Sequence, residues 1–126
     1  MKSWLKNKIK ALYSDTDFDI LTPPDEKLGD YSVNLAFVLA KTEKRNPKEV
    51  GDELVVKFSK DNEFEKIFSK IELAGGGFIN FYLKNNFLAE RLAEIHKDKN
   101  YGFNETMKGK KVMVEYTDPN PFKLFH

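Results

Sequence analysis

Phe78, Asn80 and Tyr82 stand two residues apart in the run Phe-Ile-Asn-Phe-Tyr-Leu, rich in residues that favour strands. In a strand this spacing puts all three side chains on one face. Two rings flanking a carboxamide are suited to holding an unpaired nucleobase, because each ring offers a π-face and the amide reaches a base edge. The same residues also fit a plain packing role, with the rings under a helix or against a cross-strand partner and the amide satisfied locally. A second group, Asn120, Lys123 and His126, follows a strand-like run at 112–116. Ligands of open α/β sheets sit beyond the carboxyl ends of strands, so these three side chains would arrive together at a nucleotide site. His96 lies near the end of a helical pattern with no second histidine or carboxylate cluster at ligand spacing, so it reads as a dipole-compensating residue, and no metal site is expected.

The element that positions Phe78, Asn80 and Tyr82 is a β-hairpin. Before the turn, Ile67, Ser69, Ile71 and Leu73 alternate with Phe68, Lys70, Glu72 and Ala74. After it, Ile79, Phe81 and Leu83 form the apolar set that belongs to the core. Gly75, Gly76 and Gly77 permit positive φ at any turn position. A phosphate nest there is a weak reading, since no Gly-Lys-Ser/Thr helix start follows.

Around the hairpin, apolar periodicity predicts a basic amphipathic helix over 2–13 and a short strand over 18–22 stopped by Pro23-Pro24. An unusually apolar helix follows, opened by Gly29-Asp30-Tyr31-Ser32 with Asp30 or Ser32 as its cap. Asn46-Pro47-Lys48-Glu49 starts a third helix running to about 59. Residues 61–65 read as a polar break, and 86–97 as a fourth helix carrying Leu88, Leu92 and Ile95 on one face. The fold class is therefore α+β, a small antiparallel sheet packed against about four helices. The domain closes near residue 98, a polar, glycine-punctuated linker covers 99–111, and 112–126 belong to a separate unit.

The chain has 126 residues, 40% of them apolar, which suffices for one domain with a real core. Basic and acidic residues number 21 and 20, so no overall field points to nucleic acid or membrane, and any such contact must be local. Absence of cysteine excludes disulfides, thiolate catalysis and Cys-based metal sites. No apolar run approaches the roughly 18 residues of a membrane span, and no secretory segment follows the first lysines, so a cytoplasmic protein without a membrane partner is expected.

Three separated stretches resemble one family. The run Glu-Tyr-Thr-Asp-Pro-Asn-Pro-Phe-Lys-Leu-Phe-His, 115–126, resembles the entry to the class I signature of arginyl-tRNA synthetases, and His126 would be the first residue of its His-x-Gly-His. Gly29-Asp30-Tyr31 resembles the family's Gly-Asp-Tyr, and 74–83 its Ala-Gly-Pro-Gly-Phe-Ile-Asn strand, from which this chain departs at Gly76. The resemblance implies an N-terminal accessory domain followed by one orphan strand of a Rossmann-type catalytic domain. It implies an enzyme that ligates arginine to tRNA-Arg using ATP with Mg2+, and it assigns this domain to the D-loop corner of the tRNA through Phe78 and Asn80, beside Tyr82. It gives Asn120 to arginine binding, Lys123 to ATP phosphate charge and His126 to the α-phosphate in the transition state. With most of the catalytic sheet outside these 126 residues, the fragment alone is expected to be an inactive monomer holding no cofactor. The alternative is a free-standing RNA- or protein-binding module with no catalytic partner.

Overall fold

The computed structural model describes residues 1–116 as an α+β domain with a four-stranded antiparallel sheet in the order β1-β2-β4-β3. The strands are β1 (Ile20–Leu21), β2 (Tyr31–Val33), β3 (Phe68–Ala74) and β4 (Phe78–Leu83). The helices are α1 (Lys2–Leu12), α2 (Leu35–Glu43), α3 (Pro47–Ser59), α4 (Asn62–Ile67) and α5 (Asn85–Lys97), with a 3-10 turn at Glu26–Leu28. The expected hairpin is β3–β4. Gly75 and Gly76 take φ of 54° and 78°, and the Gly77 amide donates to the Ala74 carbonyl at 3.2 Å. A proline has φ fixed near −65°, so the family's proline could not adopt this conformation at Gly76.

Pairing aligns Ile20 with Val33, Val33 with Ile79, and Ile79 with Leu73, one transverse row on the core face. Phe81 extends that face into an aromatic cluster in which Phe58 stacks on Phe64 at 5.1 Å and Phe68 meets Phe81 at 5.1 Å. Helix α1 closes the cluster with buried Leu5 and Ile9, and Lys8 holds it to the start of α4 through Glu63 at 2.7 Å and Asp61 at 3.6 Å. Helix α3 presses on β3 so closely that a Cβ at Gly51 would meet Leu73.

Four local expectations are corrected. The two-residue alternation in β3 breaks at a register shift between Phe68 and Lys70, so Phe68 is buried with the core set while Ser69 turns away and donates to the Tyr82 carbonyl at 3.1 Å. A bulge was needed because Phe68, not Ser69, has the apolar surface to bury. Residues 31–33 form a strand rather than the start of a helix. Asp30 caps nothing; its carboxylate accepts from the Leu83 amide at 2.8 Å, extending the β2–β4 pairing. The segment 61–65 belongs to a helix, with Asp61 capping it through the Glu63 amide at 2.8 Å. Residues 112–116 form no strand among the described residues. Met113 and Tyr116 are almost wholly exposed, because a strand forms only where a neighbouring strand satisfies its backbone groups, and among the described residues none pairs with this segment.

Candidate nucleic-acid interface

The sheet face opposite the core carries a second transverse row, Leu21, Ser32, Asn80 and Glu72, one residue per strand. Phe78 pairs with Ala74 on one side of this row, and Tyr82 with Lys70 on the other. A groove of about 560 Å³ lies over the row, floored by Ser32, Phe78 and Asn80 and walled by Leu21, Thr22, Pro23, Pro24 and Leu28, with Ala74, Gly75 and Lys2 also lining it. Its lining is mostly apolar, as suits the flat face of a base. Phe78 is half-buried and meets Phe37 of α2 in a T-shaped contact, centroids 5.1 Å apart at 73°. Asn80 is only 2% exposed and Ser32 8%.

Tyr82 fastens the groove wall. Its hydroxyl faces the Glu72 carboxylate and the Lys27 carbonyl, the latter at 2.8 Å, and so links the sheet to the 3-10 turn that carries Leu28. The hydrogen bond to Glu72, then burial and the carboxylate charge, push the Tyr82 hydroxyl pKa up, against an opposing hydrogen bond from the Asn80 side chain. Lys70 chiefly, and Tyr82 after it, hold the Glu72 carboxyl below its usual range. Lys70 Nζ also stands 5.0 Å from the centre of the Tyr82 ring. Tyr82 is thus tied into the frame beside the groove, whereas Phe78 and Asn80 line the groove itself. The turn's return to the sheet needs Gly29, with φ of 87° and an imagined Cβ 2.8 Å from the Phe81 carbonyl oxygen.

Sequence reasoning missed the contributions of Ser32 and the Pro23-Pro24 wall, whereas Lys2 was visible as part of the basic face of α1. Ser32 was hidden by its reading as a cap, and Pro23-Pro24 by its reading as a strand stop; their only available signal was proximity to the Gly-Asp-Tyr run. Asn120, Lys123 and His126 lie outside the described residues. Among the described residues no helix is long and apolar enough to cross a membrane.

Residues 1–83 match the family model described as the arginyl tRNA synthetase N terminal domain. The chain belongs to this family. It is 48% identical over 105 residues to the arginine--tRNA ligase of Staphylococcus carnosus, covering 82% of this chain and 18% of that protein. It is 39% identical over 113 residues to the arginine--tRNA ligase of Thermotoga maritima, covering 89% and 20%. The arginyl-tRNA synthetase structure from Thermus thermophilus superimposes with a TM-score of 0.55 at 28% identity, over 79% of this chain and 16% of that one. The chain therefore spans about a fifth of the length of the curated relatives it matches. The matched family region runs from α1 to the last residue of β4 and contains every residue lining the groove.

Proposed function

We propose that this domain is the tRNA-binding module of an arginine–tRNA ligase, and that it holds an unpaired nucleotide of the D-loop of tRNA-Arg in the groove over β2 and β4. The observation that carries this reading is the position of Phe78 and Asn80 on the floor of an open, apolar groove, away from the core, in a domain of the arginyl-tRNA synthetase family. Phe78 supplies the stacking face, and the Asn80 carboxamide, already bonded to the Tyr82 hydroxyl, offers its remaining hydrogen-bonding capacity to the base edge. Tyr82 steadies the wall through the Lys27 carbonyl.

In the parent enzyme the arginine carboxylate would attack the α-phosphate of ATP and displace pyrophosphate, with Mg2+ as the nucleotide's counter-ion, and a hydroxyl of the terminal ribose of the tRNA would then take arginine from the adenylate and release AMP. Asn120 is assigned to arginine, Lys123 to phosphate charge and His126 to the α-phosphate, since positioned cations and donors are what developing phosphate charge requires. The test of the domain's role is titration of the chain with tRNA-Arg and with a non-cognate tRNA. Binding that survives Phe78→Ala and Asn80→Ala unchanged would remove the groove from the account. The test of the parent is the coding sequence after His126, where a residue followed by Gly-His is expected.

A further inference from the structure

Ser32 and Asn80 are the polar side chains in the buried set of the described residues, and both line the same groove. They are direct cross-strand partners, Ser32 on β2 facing Asn80 on β4. Directly opposed side chains on one face of an antiparallel pair lie about 4.5–5.5 Å apart at Cβ, so a single planar ring can meet both. Burial of polar groups in an apolar lining is costly unless a hydrogen-bonding partner is supplied. No wholly buried side-chain nitrogen or oxygen among the described residues lacks a partner. The Asn80 side chain meets the Tyr82 hydroxyl, and any polar atom of the pair left unpartnered is not wholly buried, at a position where both residues line the groove.

We propose that Ser32 is a second base-reading residue, whose hydroxyl joins the Asn80 carboxamide in determining which base the groove accepts. The inference rests on the reading of the groove as a site for one unstacked nucleotide. A hydroxyl donates one hydrogen bond and accepts others, while a carboxamide does both, so the pair matches a base edge that presents a donor beside an acceptor. The row itself favours this role. On the outer face Leu21 and Glu72 flank the pair with larger side chains, and the small serine between Leu21 and Asn80 leaves the depression into which an edge can descend. A residue serving only to complete the sheet would more favourably be a larger β-branched one.

The experiment measures affinity of the chain for tRNA-Arg transcripts carrying each of the four bases at each unpaired D-loop position, with Ser32→Ala, Ser32→Thr, Asn80→Ala and Phe78→Ala. Ser32→Ala is expected to weaken binding of the preferred transcript about two- to tenfold, the worth of one neutral hydrogen bond, and to narrow the spread among the four bases. Ser32→Thr keeps the hydroxyl and should preserve the spread. Equal weakening of all four transcripts by Ser32→Ala, or an unaltered spread while Asn80→Ala narrows it, overturns the role of Ser32 and leaves the groove reading standing. If neither Phe78→Ala nor Asn80→Ala affects any transcript, the groove reading falls and this inference with it.

Discussion

Replacing Phe78 by alanine separates the two duties its position implies. The ring meets Phe37 edge-on at 5.1 Å, and a T-shaped pair engages at most one of its two faces. An aromatic pair contributes about 0.5–1.5 kcal/mol beyond area burial. Because the ring is only half-buried, Phe78→Ala should destabilise the domain by about 1–2 kcal/mol, less than the ~3–5 kcal/mol of a fully buried phenylalanine. Loss of base stacking removes a further ~1–3 kcal/mol from binding alone, about five- to 150-fold in Kd. Phe37→Ala is the matched control, since it breaks the same ring pair while leaving the platform in place. Thermal unfolding followed by circular dichroism reports the first quantity, and fluorescence-anisotropy titration with tRNA-Arg the second. Both variants should melt early, but only Phe78→Ala should bind poorly. A folded Phe78→Ala with native affinity, or a Phe37→Ala that binds as weakly as Phe78→Ala, would assign the ring to packing and refute the argument.

Gly29→Ala should cost about 1–3 kcal/mol, because φ of 87° is a poor conformation for a Cβ and the Phe81 carbonyl oxygen stands 2.8 Å from where it would go; an unchanged Tm would disprove that close approach. Asp61→Ala should lose about 1 kcal/mol as the N-cap of α4 disappears. Burial pushes the Asp61 carboxyl up, but the Glu63 and Phe64 amides and the Lys8 ammonium outweigh it and bring the carboxyl below its ordinary value. A lowered native pKa gives stability that is complete above the unfolded carboxylate range and lost as pH falls through the native value, so the difference between wild type and Asp61→Ala should hold above roughly pH 5 and shrink progressively as the pH is lowered further. A difference that stays constant as the pH falls would remove the carboxylate's charge from the capping account. Lys2 lines the groove, and Lys2→Ala should lower the slope of log affinity against log salt by about one, weakening all transcripts alike; an unchanged slope would place Lys2 away from any phosphate.

The parts of the fold legible in the sequence are those whose period and punctuation agree. The β3–β4 turn was marked by three glycines, and α3 by Asn46-Pro47, whose asparagine does accept from the Lys48 amide at 2.9 Å. The misreadings occur where a local signal competed with a tertiary one. Asp30 and Ser32 look like caps, yet the exposed edge of β4 offered Tyr31, Ser32 and Val33 a ladder, and sheet pairing took residues that a helix start could also have used. The β3 bulge was invisible because alternation alone cannot say which of Phe68 and Ser69 breaks phase. Of the candidate site, spacing placed Phe78, Asn80 and Tyr82 on one face of one strand, which fits packing as well as base binding, and the family resemblance pointed to the tRNA. Ser32, Leu21 and Pro23 were not legible as part of it, because a groove assembled across strands depends on long-range pairings such as Ser32 with Asn80, which also bring Leu21 beside Ser32.

Register is what makes core and groove inseparable in this domain. The row Ile20, Val33, Ile79, Leu73 and the row Leu21, Ser32, Asn80, Glu72 are offset by one residue on every strand. A one-residue slip of β4 against its neighbours would send Asn80 toward the phenylalanine cluster and Ile79 into solvent, exchanging the two faces at once. Burial of Ile79 and Phe81 with Phe58, Phe64 and Phe68 therefore sets the outward aim of Phe78 and Asn80, and the Phe37 ring and the Tyr82 hydroxyl add their own contacts to it. The bulge at Phe68 is consistent with this: β3 yields locally at its far end, so that Leu73 opposite Ile79 and Glu72 opposite Asn80 stay in phase. Substitutions deep in the core, such as Ile79→Asn, should consequently abolish tRNA binding through register before they act through stability. An Ile79→Asn variant that retains both its fold and its Phe78-dependent affinity would show that the groove holds its alignment by some means other than the core.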